Sequence, residues 1–127
     1  EANVRAADAA GARSLGEGGL ELLARVRAAF EAKAAVSCTR CGYCLPCPRG
    51  VNIPEMFGLY NHGAMYDDLP FSRFRYFRFF TEAERAGSCS GCGHCEERCP
   101  QALKVSELMS VVHAVLGEGK PYPEACR

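Results

Sequence analysis

Eight cysteines stand in two runs, Cys38, Cys41, Cys44 and Cys47 in CTRCGYCLPCP, and Cys89, Cys92, Cys95 and Cys99 in CSGCGHCEERCP. Thiols at such density bind each other or soft metals, and spacing separates the possibilities. A disulfide scaffold belongs to an exporting context, of which the sequence carries no sign. Zinc favours pairs of cysteines set far apart, because one knuckle fills half a tetrahedron. Three cysteines at x2, x2 spacing, with a fourth followed by Pro, is the pattern that holds an iron–sulfur cluster. Both runs have it, so the expected cofactors are two [4Fe–4S] clusters, with zinc as the runner-up.

A cubane takes one thiolate per iron. Cys38, Cys41 and Cys44 can supply three corners from one tight loop, and Cys89, Cys92 and Cys95 can do the same. In two-cluster ferredoxins the cysteine before Pro serves the other cluster. The expected sets are therefore Cys38, Cys41, Cys44 and Cys99 for cluster 1, and Cys89, Cys92, Cys95 and Cys47 for cluster 2. Three residues separate Cys95 from Cys99, but only Leu45 and Pro46 separate Cys44 from Cys47, which makes the Cys47 assignment the less regular one. Gly42 and Gly93 each follow the second cysteine of their run, where a missing Cβ allows close approach to a cluster or an ordinary turn. His94 lies inside the second loop, but Tyr43 takes its place in the first, so none of His62, His94 and His113 is read as a ligand. The ninth cysteine, Cys126, lies outside the runs and reads as a bystander.

The elements that must position these thiols repeat as well. With Pro48 set against Pro100, Val51 meets Leu103, Ile53 meets Val105, Met56 meets Leu108, Phe57 meets Met109 and Leu59 meets Val111. One unit of cysteine loop, short extended link and amphipathic helix therefore occurs twice. Ile53-Pro54-Glu55 and Val105-Ser106-Glu107 read as helix starts, and Gly117 stands where the second helix would end. Ser14 and Glu17 suggest a capping box before a helix whose Leu22, Leu23, Val26 and Phe30 form an apolar face. Between the repeats, PFSRFRYFRFF interleaves aromatic residues with Arg73, Arg75 and Arg78. Phe74, Phe77 and Phe80 or Thr81 share one helix face, which is expected to pack against the cofactor-bearing core. Stacking on single-stranded nucleic acid is the weaker reading of that segment. No run alternates convincingly as a strand, so the predicted fold class is all-α.

At 127 residues the chain suffices for one modest core. Its 15 basic and 15 acidic side chains give a formal net charge of zero, which argues against a nucleic-acid partner. Zero charge also suits a tethered electron carrier better than a free one, since tethering replaces electrostatic steering. No apolar run approaches the length of a membrane span. The chain opens at Glu1 without a charged-then-apolar leader, so a trimmed chain or fragment, located in the cytoplasm, is expected.

Compact bacterial ferredoxins join their motifs by a short β-rich segment, whereas here residues 48 to 88 read as helices. That combination resembles the α-helical ferredoxin fold, with two pseudo-symmetric units of cysteine loop plus helix. More closely, CTRCGYCLPCPRGVNIPEMFGLYN and CSGCGHCEERCPQALKVSELMSVVH resemble the carboxy-terminal iron–sulfur domain of [4Fe–4S]-containing aldo/keto reductases. EANVRAAD and SLGEGGLELLARVRAAF resemble the connector leaving the barrel of that family. The resemblance covers nearly all of the chain and implies a connector and amphipathic helix over 1–35 and a dicluster domain over 36–127. It also implies an upstream (β/α)8 barrel with a nicotinamide cofactor, in the same chain or docked, whose catalytic residues are not among these 127. The expected function is electron transfer toward an unknown redox partner. A free-standing dicluster ferredoxin and a structural metal-binding module are the alternatives. Catalysis by this chain alone is not expected, because eight cysteines leave no iron with an open position.

Overall fold

The computed structural model describes residues 1–11 and 15–123, so the expected Ser14 cap and Cys126 lie outside the described residues. Contacts divide the chain into two compact units, Glu1–Ala32 and Lys33–Arg127. The first carries helix α1 (Ala2–Ala9) and helix α2 (Gly16–Lys33, running one residue into the second unit), neither of which buries a residue. The apolar face read in α2 is present but uncovered, with Leu22, Leu23, Val26 and Phe30 all exposed.

The second unit holds the core. Helix α3 (Ile53–Tyr66) begins with Pro in its first turn, where no backbone N–H is missed, and with Glu55 beside the positive end of the dipole. Its Ile53, Met56, Phe57, Tyr60 and Gly63 recur at helical spacing and are buried. Asp67 in the left-handed conformation stops it, its N–H donating to the Gly63 carbonyl. Helix α4 (Leu69–Phe79) follows at once, capped by the Asp68 carboxylate, which accepts from Phe71 N–H at 3.2 Å. Two short 3-10 turns, Glu82–Glu84 and Ala86–Ser88, lead into the second cysteine run, and helix α5 (Val105–Leu116) closes the core through Val105, Met109, Val112, Val115 and Leu116. Helix α3 packs against both α4 and α5, and α4 also meets α5. Gly117 caps α5 with its N–H on the His113 carbonyl, in a right-handed rather than left-handed conformation. Tyr122 straps the end back onto α3, donating to the Tyr60 carbonyl at 2.7 Å. All regular structure among the described residues is helical. No helix there is long and apolar enough to cross a membrane.

Helix α4 corrects one expectation. The face turned inward carries Ser72 and Tyr76, both fully buried, while Phe71, Phe74, Phe77 and Phe79 are exposed by 45 to 63 %; Phe80, just past the helix, does pack partly buried against the core as expected. Polar partners decide this orientation: Ser72 Oγ lies 3.2 Å from His62 Nδ1, and Tyr76 Oη 3.2 Å from His113 Nδ1. A tyrosine can enter a core beside a histidine because its hydroxyl is satisfied there.

Candidate metal centres

The two cysteine loops share one backbone. Arg40 and Gly91, at equivalent positions, have φ of 56° and 70°; Gly42 and Gly93 have 81° and 75°. After the CP step, Gly50 and Ala102 again match, at 81° and 50°. Turn hydrogen bonds repeat too: Leu45 N–H to the Gly42 carbonyl at 2.9 Å parallels Glu96 N–H to that of Gly93 at 2.8 Å. Gly50 N–H to Cys47 O at 2.9 Å parallels Ala102 N–H to Cys99 O at 3.0 Å. Left-handed φ costs a residue with a Cβ about 1–2 kcal/mol, so its retention at Arg40 and Ala102 marks a geometry that the loop demands. The extra residue between Cys95 and Cys99 falls between these matched points and leaves them in register.

Such loops turn their thiols inward on two cavities. One is lined by Cys38, Cys41, Cys44 and Cys99, with Ile53, Phe57, Leu103 and Val105 behind them. The other is lined by Cys47, Cys89, Cys92 and Cys95, with Val51 and Ser106 among its walls. Each cavity thus draws three cysteines from one run and the pre-proline cysteine from the other. Ile53, at 2 % exposure, lines both. All eight are free thiols. They wall their cavities rather than meeting at a point, and among the described residues no group of three His, Cys, Asp or Glu is gathered to hold a single ion. Four thiols spread around an apolar space fit a cubane, which takes its thiolates at four separate irons. His62 and His113 face the α4 residues named above, not a cavity.

Burial pushes the Cys38 thiol up from its ordinary range, the Arg40 N–H donating to its Sγ at 3.4 Å partly opposes this, and Cys41 and Cys99 push it further up. Cys44 is likewise raised, first by burial and then by Cys38, Cys41 and Cys99. Cys95 is pushed up to about 11 by burial, reinforced by Cys89, Glu96 and Cys47. Thiols so placed resist ionising on their own, and ligation must release their protons.

Around this common frame the supports differ. In the first cysteine repeat Arg40 forms an ion pair with Glu55 in the first turn of α3, and Pro54 has no N–H to satisfy. In the second, Ser106 stands at the equivalent place, and Glu96 Oε1 accepts from its backbone N–H at 2.8 Å and from its hydroxyl. Those two bonds hold the Glu96 carboxyl below the usual carboxylate range. The Glu96–Ser106 tie was not legible in the sequence, because it joins a loop to a helix start ten residues away. Its only signal was the replacement of Pro by Ser in otherwise matched helix starts. Ahead of the first run, the Asn61 side chain on α3 accepts from Val36 N–H at 2.8 Å and donates to its carbonyl at 2.7 Å, anchoring the approach to Cys38.

Comparison with protein-family models matches residues 37–103 to the 4Fe-4S dicluster domain. Searches of curated proteins and of solved structures each returned no match.

Proposed function

The chain belongs to the 4Fe-4S dicluster domain family, and we propose on that footing that it serves as the electron-transfer module of a larger, aldo/keto reductase-like oxidoreductase. At the coarser level the function is electron transfer through iron–sulfur clusters, on an α-helical ferredoxin fold with two [4Fe–4S] clusters as cofactors. When bound, these supply one-electron chemistry. The observation that carries the ligand assignment is the pairing of cysteines from both runs around each cavity. On this reading Cys38, Cys41, Cys44 and Cys99 hold cluster 1, and Cys89, Cys92, Cys95 and Cys47 hold cluster 2. The chain's own contribution is to keep both sets preorganised, to present backbone N–H groups such as that of Arg40 to cysteine sulfur, and to exclude water with Ile53, Phe57 and Val105.

Association with a reductase barrel is favoured by the sequence resemblance and by α2, whose Leu22, Leu23, Val26 and Phe30 are exposed. Expression of the complete coding region tests it. The expected product carries a barrel ahead of Glu1 and bleaches its cluster absorbance when NADPH is added anaerobically. A coding region without a barrel, or clusters that dithionite reduces and NADPH with substrate never touches, would leave the free-standing ferredoxin as the better reading. Iron and acid-labile sulfide should each reach about eight per chain, and zinc in their place would sink the electron-transfer role.

A further inference from the structure

Four phenylalanines on the surface of so small a unit are unusual, since exposed apolar patches of this kind mark interaction sites. Phe71, Phe74 and Phe77 lie on the outer side of α4, at 45 to 56 % exposure, and Phe79 follows at its end. An open groove bounded by Leu69, Pro70, Arg73, Phe74 and Phe77 runs alongside. Arg78 stands exposed on the same outer side, over the Phe79 ring, with half-buried Arg75 at its flank, and neither forms an ion pair among the described residues. The face is therefore apolar and cationic, and its arginines have no ion-pair partner among the described residues.

It is also mechanically joined to the second cysteine run. The Arg85 guanidinium donates to the carbonyls of Tyr76 and Phe77 at 3.1 and 2.9 Å and lies 5.0 Å from the Phe77 ring centroid. From Arg85 the chain passes through the buried Ala86 to Cys89, whose N–H donates to the Ala86 carbonyl. The end of α4 and the entrance to the Cys89 loop are thus fixed to each other.

We propose that the outer face of α4 is the docking surface for an acidic redox partner protein, one that presents an apolar patch rimmed by carboxylates. This rests on the electron-transfer reading above and names the chemistry of the partner it requires. Charge complementarity carries it: Arg75 and Arg78 offer cations with no ion-pair partner among the described residues, arginine and aromatic side chains are the residues enriched at protein interfaces, and an open groove lies beside Phe74. At 100° per residue, Arg78 falls between Phe71 and Phe74. A helix lying on a lipid surface separates its cations from its apolar face instead. The zero net charge of the chain, likewise, lacks the cationic surplus of a nucleic-acid groove.

The test uses the cluster-loaded protein and, as probe, an acidic flavodoxin, with association followed by calorimetry at low and moderate salt. The expected result is binding that weakens with salt, falls about tenfold or more in the double variant Arg75→Glu/Arg78→Glu, falls in Phe74→Ser, and largely returns in Arg75→Lys/Arg78→Lys. Helical circular dichroism and the visible cluster spectrum serve as folding controls, and substitutions at these positions, none of them buried, should leave both unchanged. No association, or association indifferent to the variants, overturns the proposal. So does an unchanged flavodoxin affinity together with variant-sensitive binding to phosphatidylglycerol vesicles, to a single-stranded oligonucleotide, or to a second copy of the chain. Dithionite reduction followed by EPR keeps the two readings apart: reduced-cluster signals without flavodoxin binding defeat the docking surface alone, whereas silent clusters defeat the electron-transfer reading beneath it.

Discussion

The first and second cysteine units reach one backbone geometry with different side chains, and the differences separate what a cluster loop requires from what merely supports it. Required are the left-handed positions: Arg40 adopts one where its twin has Gly91, and Ala102 adopts one where its twin has Gly50. Supporting contacts are interchangeable. The first unit begins its helix with Pro54, which lacks the orphan N–H, while the second begins with Ser106 and recruits Glu96 to accept from it. Burial differs too. Met56 and Leu59 on α3 are buried, whereas their counterparts Leu108 and Val111 on α5 are only partly so.

Removing thiols breaks the comparison most severely. Cys41→Ser and Cys92→Ser should each lower the iron content from about eight to about four per chain, leaving EPR spectra of the reduced proteins that differ from each other and report the surviving site. Next comes the backbone. A Cβ at Gly50 meets only ordinary contacts with Ala83, so Gly50→Ala should cost about 1 kcal/mol through φ alone, read as a lower denaturant midpoint. Ala102→Gly, its mirror in the second unit, should cost nothing or stabilise slightly. A smaller effect concerns the helix starts: Glu96→Ala should lower the melting temperature in the wild-type background but not beside Ser106→Pro, which installs the first unit's solution. If the two changes simply add, the Glu96–Ser106 contact has no structural part. The finest distinction is electrical. Glu96→Gln removes an anion next to Cys95 and should raise the midpoint potential of the second site while leaving the first unmoved, as seen by redox titration with EPR.

Much of this was legible in sequence because cysteine spacing and helix starts are local. Three residues of loop suffice to state that Cys38, Cys41 and Cys44 act together, and Pro54 and Glu55 announce α3 without any tertiary information. The repeat added the long-range part, since matched apolar positions after each CP step require matched helices. The orientation of α4 was not legible. Phe74 and Phe77 form the more apolar stripe, but burial went to Ser72 and Tyr76 because His62 and His113, ten and 37 residues away, satisfy their hydroxyls. Hydrophobicity ranks faces only when the polar alternatives have no partner. For the same reason the strap from Tyr122 to the Tyr60 carbonyl, 62 residues apart, left no trace in any local pattern.

The crossing of Cys99 and Cys47 between units is the claim on which the rest depends. Its most direct test is the EPR spectrum of dithionite-reduced Cys99→Ser, compared with those of Cys41→Ser and Cys92→Ser. The exchanged arrangement predicts that Cys99→Ser matches Cys41→Ser, having lost the same cluster. A spectrum matching Cys92→Ser instead would mean that each run keeps its own fourth cysteine, and would contradict the account.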